Sequence, residues 1–179
     1  HRQLERISCF VRLFAPVYTL PEYRELLCRF YGFYSAIEPL IFDDLAEEYT
    51  SILGHKAKID LLVKDLAVFD INEIDLYQLP QCDKLPELTS VASKMGALYV
   101  LEGSVLGGRI ISKRLKEHFG ADINDKLNFY SCYGENVGTE WKNFQSFMSQ
   151  QFDDKTGEIP EVIAAANETF LSLQQWLDK

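Results

Sequence analysis

The stretch that decides the fold is Leu98-Tyr-Val-Leu-Glu-Gly-Ser-Val-Leu-Gly-Gly-Arg-Ile-Ile111. It lies in the middle of a strongly helical pattern, yet Gly103, Gly107 and Gly108 fall inside one predicted helix. Each glycine costs a helix interior about 1 kcal/mol relative to alanine. The pattern therefore indicates that something approaches this helix so closely that side chains have to be absent.

Two interpretations of these glycines stay open from the sequence. Gly103 and Gly107 are four residues apart, so they lie on one face of the helix, and Gly108 widens that bare strip. In the first interpretation, the small residues permit a close crossing with another helix. In the second, a large flat ligand lies against the bare backbone, and the glycines also let the helix bend. Ser104 between them can bond its own helix backbone, or it can hold water over the ligand.

The composition argues against several classes of function. The chain of 179 residues has a net charge of −9, whereas non-specific binding of nucleic acid or of an anionic membrane needs a basic face. No run of about 18 apolar residues occurs, so we expect no membrane-spanning segment. No signal segment is visible, so we expect a cytoplasmic protein. The start at His1 rather than at Met leads us to expect further residues before it.

Hydrophobic periodicity predicts a single all-α domain over residues 1–179, with roughly seven or eight helices and no competing strand pattern. N-caps and prolines set several boundaries, as in Thr19-Leu-Pro-Glu22. The predicted helices cover residues 1–14, 19 to about 49, 57 to about 69, 89 to about 119, 139 to about 152 and 160–176. Pro39 kinks or restarts the second of them. We predict that Asp70–Pro86 is a long loop with a turn or two of helix.

The histidines and cysteines limit the metal sites that this chain can build. His1 lies on the apolar side of the first predicted helix, and a neutral imidazole is a good iron ligand; a terminal residue without a role is the alternative. We interpret His55, in a connecting turn, and His118, near a helix C-terminus, as structural. The four cysteines are scattered, form no CxxC pair and are expected to be reduced thiols. One iron centre with a single histidine ligand can still be built.

At these positions the sequence resembles the heme oxygenases, specifically the bacterial type found with bacteriophytochromes. The resemblance covers nearly the whole chain. Residues 99–109 resemble the distal helix of that family, which crosses the heme face where oxygen binds. His1-Arg-Gln-Leu-Glu5 resembles the H-x-x-x-E of its proximal helix, and residues 19–34 are similar to its second helix. Residues 129–141 resemble its Y-G…G-x-x-W segment.

The resemblance implies a single-domain, multi-helical heme-oxygenase-like bundle, with heme between a proximal N-terminal helix and a glycine-kinked distal helix. The implied reaction is oxidative opening of heme to biliverdin, with O2 and external electrons, and with release of iron and carbon monoxide. Heme is then both cofactor and substrate, and the protein supplies orientation and polarity.

The resemblance also implies how the heme is held at its proximal face and its edge. His1 is the implied iron ligand, bound as a neutral imidazole, and Glu5 one turn further on polarises it. Lys142 stands where the family reaches a heme propionate, and an ammonium facing a carboxylate suits the heme edge. A solvated lysine on an amphipathic helix is the alternative for Lys142.

On the distal side, the resemblance answers the question raised by the glycines. Bare backbone at Gly103 and Gly107, with Gly108 beside them, lets the helix lie almost on the porphyrin and steers bound oxygen toward a meso carbon. Ser104 and the backbone around Gly103 anchor the water chain that delivers protons. Mammalian-type members have an aspartate where Ser104 stands and an arginine where Ser146 stands. Their water network and their choice of meso carbon therefore do not carry over.

Two other functions stay open at this point. A heme carrier or sensor on the same fold gains from a second axial ligand, and Tyr99–Arg109 contains no His, Met or Cys to provide one. A helical protein of similar fold acting on another small molecule, such as the thiamin-degrading group, needs a catalytic cysteine, for which Cys132 is the candidate. The enzyme needs an electron donor such as a ferredoxin or a flavin reductase, and a bacteriophytochrome is a candidate biliverdin acceptor.

Overall fold

The computed structural model describes residues 12, 13, 15, 17–43, 45, 57–152 and 157–179. Six α-helices follow one another in these residues: α1 (Leu20–Phe42), α2 (Lys58–Ala67), α3 (Glu73–Gln78), α4 (Val91–Phe119), α5 (Val137–Phe152) and α6 (Ile159–Leu177). Short 3-10 turns lie at Gly120–Ile123 and Gly134–Asn136. No strand occurs in this part of the chain, which confirms the all-α prediction. The predicted first helix, with His1 and Glu5, lies outside the described residues, and so does His55.

The start of α1 follows the sequence signal, and its end does not. Thr19 and Glu22 form a capping box in which the Thr19 N–H donates to the Glu22 carboxylate over 2.9 Å. The helix passes through Pro39 and ends at Phe42, earlier than the predicted Tyr49. It ends there because Asp43 takes an extended conformation, with ψ 131°, while its N–H still reaches the Pro39 carbonyl.

The segment predicted as a long loop contains one short helix, as expected. Asn72 caps α3 by accepting hydrogen bonds from the N–H groups of Ile74 and Asp75. The rest of this segment passes close to α1, where the Cys82 N–H donates to the Gly32 carbonyl over 2.9 Å. A Cβ on Gly32 would overlap the Pro80 carbonyl oxygen, so this glycine is needed for the approach.

The long helix α4 is the centre of the fold. Ser90 caps its start through the Ser93 N–H over 3.0 Å, and Gly120, with φ 61°, ends it. One side of α4 packs along α6, and other parts of it contact α1 and α5; α2 packs on α1. The core between these helices is aromatic, and its fully buried members include Tyr23, Phe33, Tyr34, Met95 and Leu98. No helix in the described ranges is long and apolar enough to cross a bilayer.

The first half of α4 crosses α6 at very short distance. A Cβ on Gly96 would overlap the carbonyl oxygen of Val162 in α6 and lie 3.0 Å from the Cβ of Ala165. Gly96 is therefore the small residue that lets α4 and α6 cross at backbone distance. From the sequence, such a crossing was one of the two alternatives for the later glycines.

Candidate functional site

The three glycines of the predicted bare strip have three different surroundings. Apart from the adjacent α4 backbone, no atom of the described residues lies within 4 Å of the position that a Gly107 Cβ would take. A Gly103 Cβ would touch the Trp141 ring at 3.4 and 3.6 Å, an ordinary van der Waals contact. A Gly108 Cβ would overlap the Tyr130 carbonyl oxygen. Of these three, Gly107 alone presents bare backbone that no described residue covers.

The structure corrects the prediction that Gly108 widens the bare strip. Consecutive residues of an α-helix point about 100° apart, so Gly108 faces a different neighbour from Gly107. It is buried against the backbone of Tyr130, in the loop between α4 and α5. Gly108 is therefore a packing glycine. The glycine strip that remains consists of Gly103, which the Trp141 ring borders, and Gly107, which no described residue outside α4 covers.

Aromatic rings border this strip on the side of α5. Trp141 lies beside Gly103, and its ring centroid is 5.2 Å from that of Tyr99 on α4. Trp141 also stacks on Phe144 at 5.7 Å with an interplanar angle of 25°. The Y-G…G-x-x-W segment of the sequence thus brings its tryptophan to the glycine strip of α4.

Ser104 is held by two contacts that fix its hydroxyl. Its Oγ donates to the Leu101 carbonyl over 2.7 Å and lies 3.4 Å from the hydroxyl of Tyr34 on α1. Burial raises the pKa of the Tyr34 phenol well above its usual range, and the negative charges of Glu38 and Glu102 raise it further. Tyr34 therefore stays protonated and can donate to Ser104. The spacing of Tyr34 placed it on the apolar face of α1, and nothing in that pattern indicated its polar contact.

A buried ionic cluster adjoins the same segment of α4. Lys58, the first residue of α2, is fully buried, and its Nζ lies 2.5 Å from Oε1 of Glu102. The Tyr133 hydroxyl donates to the other carboxylate oxygen of Glu102 over 3.0 Å and lies 3.2 Å from the Lys58 Nζ. Glu102 directly precedes Gly103, so the cluster joins α2, α4 and the loop before α5 at the glycine strip. We refer to Lys58, Glu102 and Tyr133 as the buried triad.

The backbone of Tyr133 makes the buried triad energetically costly, and Glu38 caps the helix that carries Lys58. Tyr133 has φ 66°, a left-handed conformation that costs a side chain of this size of the order of 1–3 kcal/mol. Glu38 of α1 accepts the N–H groups of Lys58 and Ile59 over 2.8 and 3.3 Å. It thereby caps α2, whose own N-cap residue, Ala57, has no capping side chain. The sequence analysis missed this cluster, and the one signal that could have indicated it is the charged Glu102 inside an apolar run.

The other predicted residues of the described chain are placed as follows. Lys142 is exposed on α5, directly after Trp141. His118 holds the Tyr18 carbonyl at 2.7 Å through Nε2, in agreement with its structural interpretation. Cys132, the candidate for a different chemistry, is buried in a small apolar cluster with Tyr133. Within the described ranges no group of three His, Cys, Asp or Glu side chains could hold a metal ion.

Comparisons with known proteins agree with this geometry. The family model described as Heme oxygenase matches residues 1–179. A heme oxygenase of Xanthomonas campestris pv. campestris (strain 8004) is 26% identical over 148 residues, which are 83% of this chain and 84% of that protein. No solved structure matches the chain significantly.

Proposed function

Since the chain belongs to the heme oxygenase family, we propose that it opens heme oxidatively to biliverdin and releases iron and carbon monoxide. The reaction consumes O2 and electrons from an external donor, and heme is both cofactor and substrate. Bound heme supplies the iron at which oxygen is activated. The observation that carries the proposal is the bare backbone of α4 at Gly107, one helical turn from Gly103, beside which the Trp141 ring lies.

A flat ring system suits this strip better than a helix neighbour does. Where α4 meets another helix, at Gly96, backbone and Cβ atoms lie within 3.1 Å of the position that a Cβ would take. At Gly107 no described residue outside α4 comes within 4 Å. A porphyrin can approach backbone closely only where side chains are absent, and the Trp141 ring offers it an apolar edge. The same strip has no His, Met or Cys in Tyr99–Arg109, which supports turnover over storage of a doubly ligated heme.

The remaining assignments at the heme are proposals that rest on the resemblance and the family. His1 binds the iron and Glu5 polarises its imidazole. Lys142 holds a propionate; it follows Trp141, is exposed, and has no ion-pair partner in the described part of the chain. Its ammonium is therefore available to a carboxylate at the edge of the strip.

Ser104 and Tyr34 are proposed to position the water that supplies protons. Ser104 gives its own hydrogen to the Leu101 carbonyl, so its Oγ accepts hydrogen bonds from other donors. Tyr34 is one such donor, and because its pKa is raised it stays protonated across the physiological range. The pair thus fixes the orientation of one hydroxyl beside Gly103 and takes the place of the aspartate of mammalian-type members.

The proposed partners follow from the chemistry of the reaction. Reduction of heme needs an external donor, for which we propose a ferredoxin or a flavin reductase. A bacteriophytochrome is the proposed acceptor of biliverdin, in line with the subgroup that the sequence resembles. A cytoplasmic location remains part of the same proposal.

A hemin titration followed by reduction tests the function. We expect one hemin per chain, with the Soret band of a histidine-ligated ferric heme that has water as its other ligand. With a reductant in air, the Soret band should fall while biliverdin absorption and carbon monoxide appear. A low-spin, doubly ligated spectrum at every pH, without biliverdin, would indicate a heme carrier.

Substitution of His1 tests the iron ligand separately. His1→Ala should abolish most turnover and leave the fold intact, because the proposed role of His1 is to bind iron rather than to pack. His118→Gln is the matched control, since His118 is occupied by the Tyr18 carbonyl. Normal turnover in His1→Ala would remove the assignment, and His55 and His118 would then be tested in the same way.

A further inference from the structure

The segment of α4 from Glu102 to Gly108 is held by side chains and backbone from several other elements. Tyr34 of α1 contacts Ser104, Trp141 of α5 contacts Gly103, and the Tyr130 backbone contacts Gly108. The buried triad adds an ionic contact, in which Lys58 and Tyr133 bind Glu102 of α4. We propose that the triad is a positioning device for Gly103–Gly107: it fixes this part of α4 in place and so sets the distance between its bare backbone and the heme. This inference rests on the proposed function.

The glycine-bearing segment of α4 needs stabilising contacts from other elements of the fold. Gly103 and Gly107 give their helix turn low intrinsic stability, because glycine is the least favourable residue in a helix after proline. No described residue outside α4 packs on the bare face of Gly107. In the described part of the chain, the contacts that support this helix turn therefore come from its other faces.

The buried triad reaches both ends of this segment. Glu102, just before Gly103, accepts from Lys58 and Tyr133 with its two carboxylate oxygens. The Tyr133 side chain belongs to an apolar cluster that includes Val105 and Leu106, which lead directly into Gly107. Tyr133, held in a left-handed backbone conformation, thus bonds the helix before the glycine strip, and the apolar cluster to which it belongs packs against the helix inside the strip.

The ionic character of the tie gives it a property that apolar packing lacks. Two apolar side chains in the same space would pack and exclude water, but they would set no single orientation. The triad sets one because each oxygen of Glu102 has its own donor, so a rotation of α4 about its axis breaks two hydrogen bonds at once. Buried ion pairs are seldom kept for stability, since apolar replacements of similar volume are often as stable or more so. Because the triad sets an orientation without being needed for stability, an experiment can separate a positioning role from a packing role.

The main experiment compares the apo wild-type protein with the double variant Lys58→Met/Glu102→Leu. We expect the double variant to melt close to the wild-type temperature, because the apolar pair fills the space of the ion pair and so offsets the loss of the two hydrogen bonds that the Tyr133 hydroxyl makes to Lys58 and Glu102. Amide hydrogen exchange on peptides covering residues 100–109 should nevertheless become about 25-fold faster, since Glu102 loses both of its hydrogen bonds to other elements and each accounts for about fivefold. Exchange around Gly96 should not change. Hemin affinity should fall by a similar factor.

A second variant keeps the proposal testable if the double variant does not fold. Tyr133→Phe removes the hydroxyl that bonds both Lys58 and Glu102, and it should speed exchange over residues 100–109 about fivefold, because Glu102 then loses one of its two hydrogen bonds. Thr169→Val is the matched control: it removes one buried hydroxyl, bonded to the Ala165 carbonyl, from α6. It should leave exchange in that stretch unchanged.

Unchanged exchange over residues 100–109 in Tyr133→Phe and in the folded double variant would overturn the proposal. So would an increase of the same size in Thr169→Val, because any buried hydroxyl would then have the effect. If exchange responds as expected and the wild-type protein binds no hemin, the proposed function fails while the positioning of α4 by the triad stands. The two failures are thereby distinguishable.

Discussion

The two halves of α4 use glycine for opposite purposes. At Gly96 the missing side chain makes room for the backbone of α6, and the Val162 carbonyl occupies the place of a Cβ. At Gly107, about three turns later, no described residue outside α4 takes that place. The same residue type on the same helix thus serves packing in one half and, in our proposal, a ligand in the other. A glycine in a helix identifies a close approach, and only its neighbours tell what approaches.

The largest loss of stability is expected at Gly96, where α4 crosses α6. Gly96→Leu places a side chain into the α6 backbone, and neither helix can move without loss of core contacts. Overpacking typically costs about 1–3 kcal/mol, and we expect the upper end of that range because the clash is with backbone. Thermal unfolding of the apo protein measures it. A melting temperature equal to that of the wild type would show that α4 and α6 are not in this contact.

A smaller loss is expected at Gly108, on the loop side of α4. In Gly108→Ala a single methyl group would overlap the Tyr130 carbonyl oxygen, and the loop between α4 and α5 has to shift. We expect about 1–2 kcal/mol of destabilisation, after the gain in helix propensity is subtracted. Urea unfolding of the apo protein measures this change in the free energy of unfolding. A stabilised Gly108→Ala would place Gly108 back in the bare strip that the sequence pattern predicts.

Gly107→Leu sharpens the comparison because it should raise stability while damaging function. Leucine is the better helix former by about 0.8–1 kcal/mol, and no described neighbour outside α4 opposes its Cβ. The apo protein should melt at the wild-type temperature or above, whereas hemin binding or turnover should be lost. Gly96→Leu is the matched control on the same helix. A large fall in the melting temperature of apo Gly107→Leu, with turnover retained, would mean that the glycine serves helix packing.

The smallest effect is expected at Gly103. A Cβ in Gly103→Ala would contact the Trp141 ring at 3.4 Å, an ordinary packing distance. The gain in helix propensity, about 1 kcal/mol, is then partly offset by a small adjustment of the ring. The melting temperature should change little, and the tryptophan emission spectrum should shift because the surroundings of Trp141 change. A loss comparable to that of Gly96→Leu would show that Trp141 cannot move.

Local sequence signals predicted the helices well and the contacts poorly. The capping boxes and the apolar spacing placed the starts of α1 and α4 within two residues. The end of α1 was missed because no glycine or proline marks it; it depends on the extended backbone of Asp43. Gly107 and Gly108 are indistinguishable in the sequence, since their difference lies in the loop backbone that reaches only one of them.

The candidate site could be predicted only as far as single-residue patterns allow. The glycine strip and the tryptophan segment were both identified, and the structure brings Gly103 and Trp141 into contact distance. The pairing of Lys58 with Glu102 joins residues 44 positions apart. One sequence does not reveal such a pair, because a lysine in a first helical turn usually points into solvent.

The cap that Glu38 places on α2 has a consequence for the order in which the chain folds. Isolated helices shorter than about 12–15 residues are marginal in water, and α2 has 10 residues and no cap of its own. The N–H groups of its first two residues, Lys58 and Ile59, donate to Glu38 on α1. We therefore expect the nascent α2 segment to gain a stable helical state when α1 has formed and docked. In this order of events α1 forms first, and α2 condenses onto it.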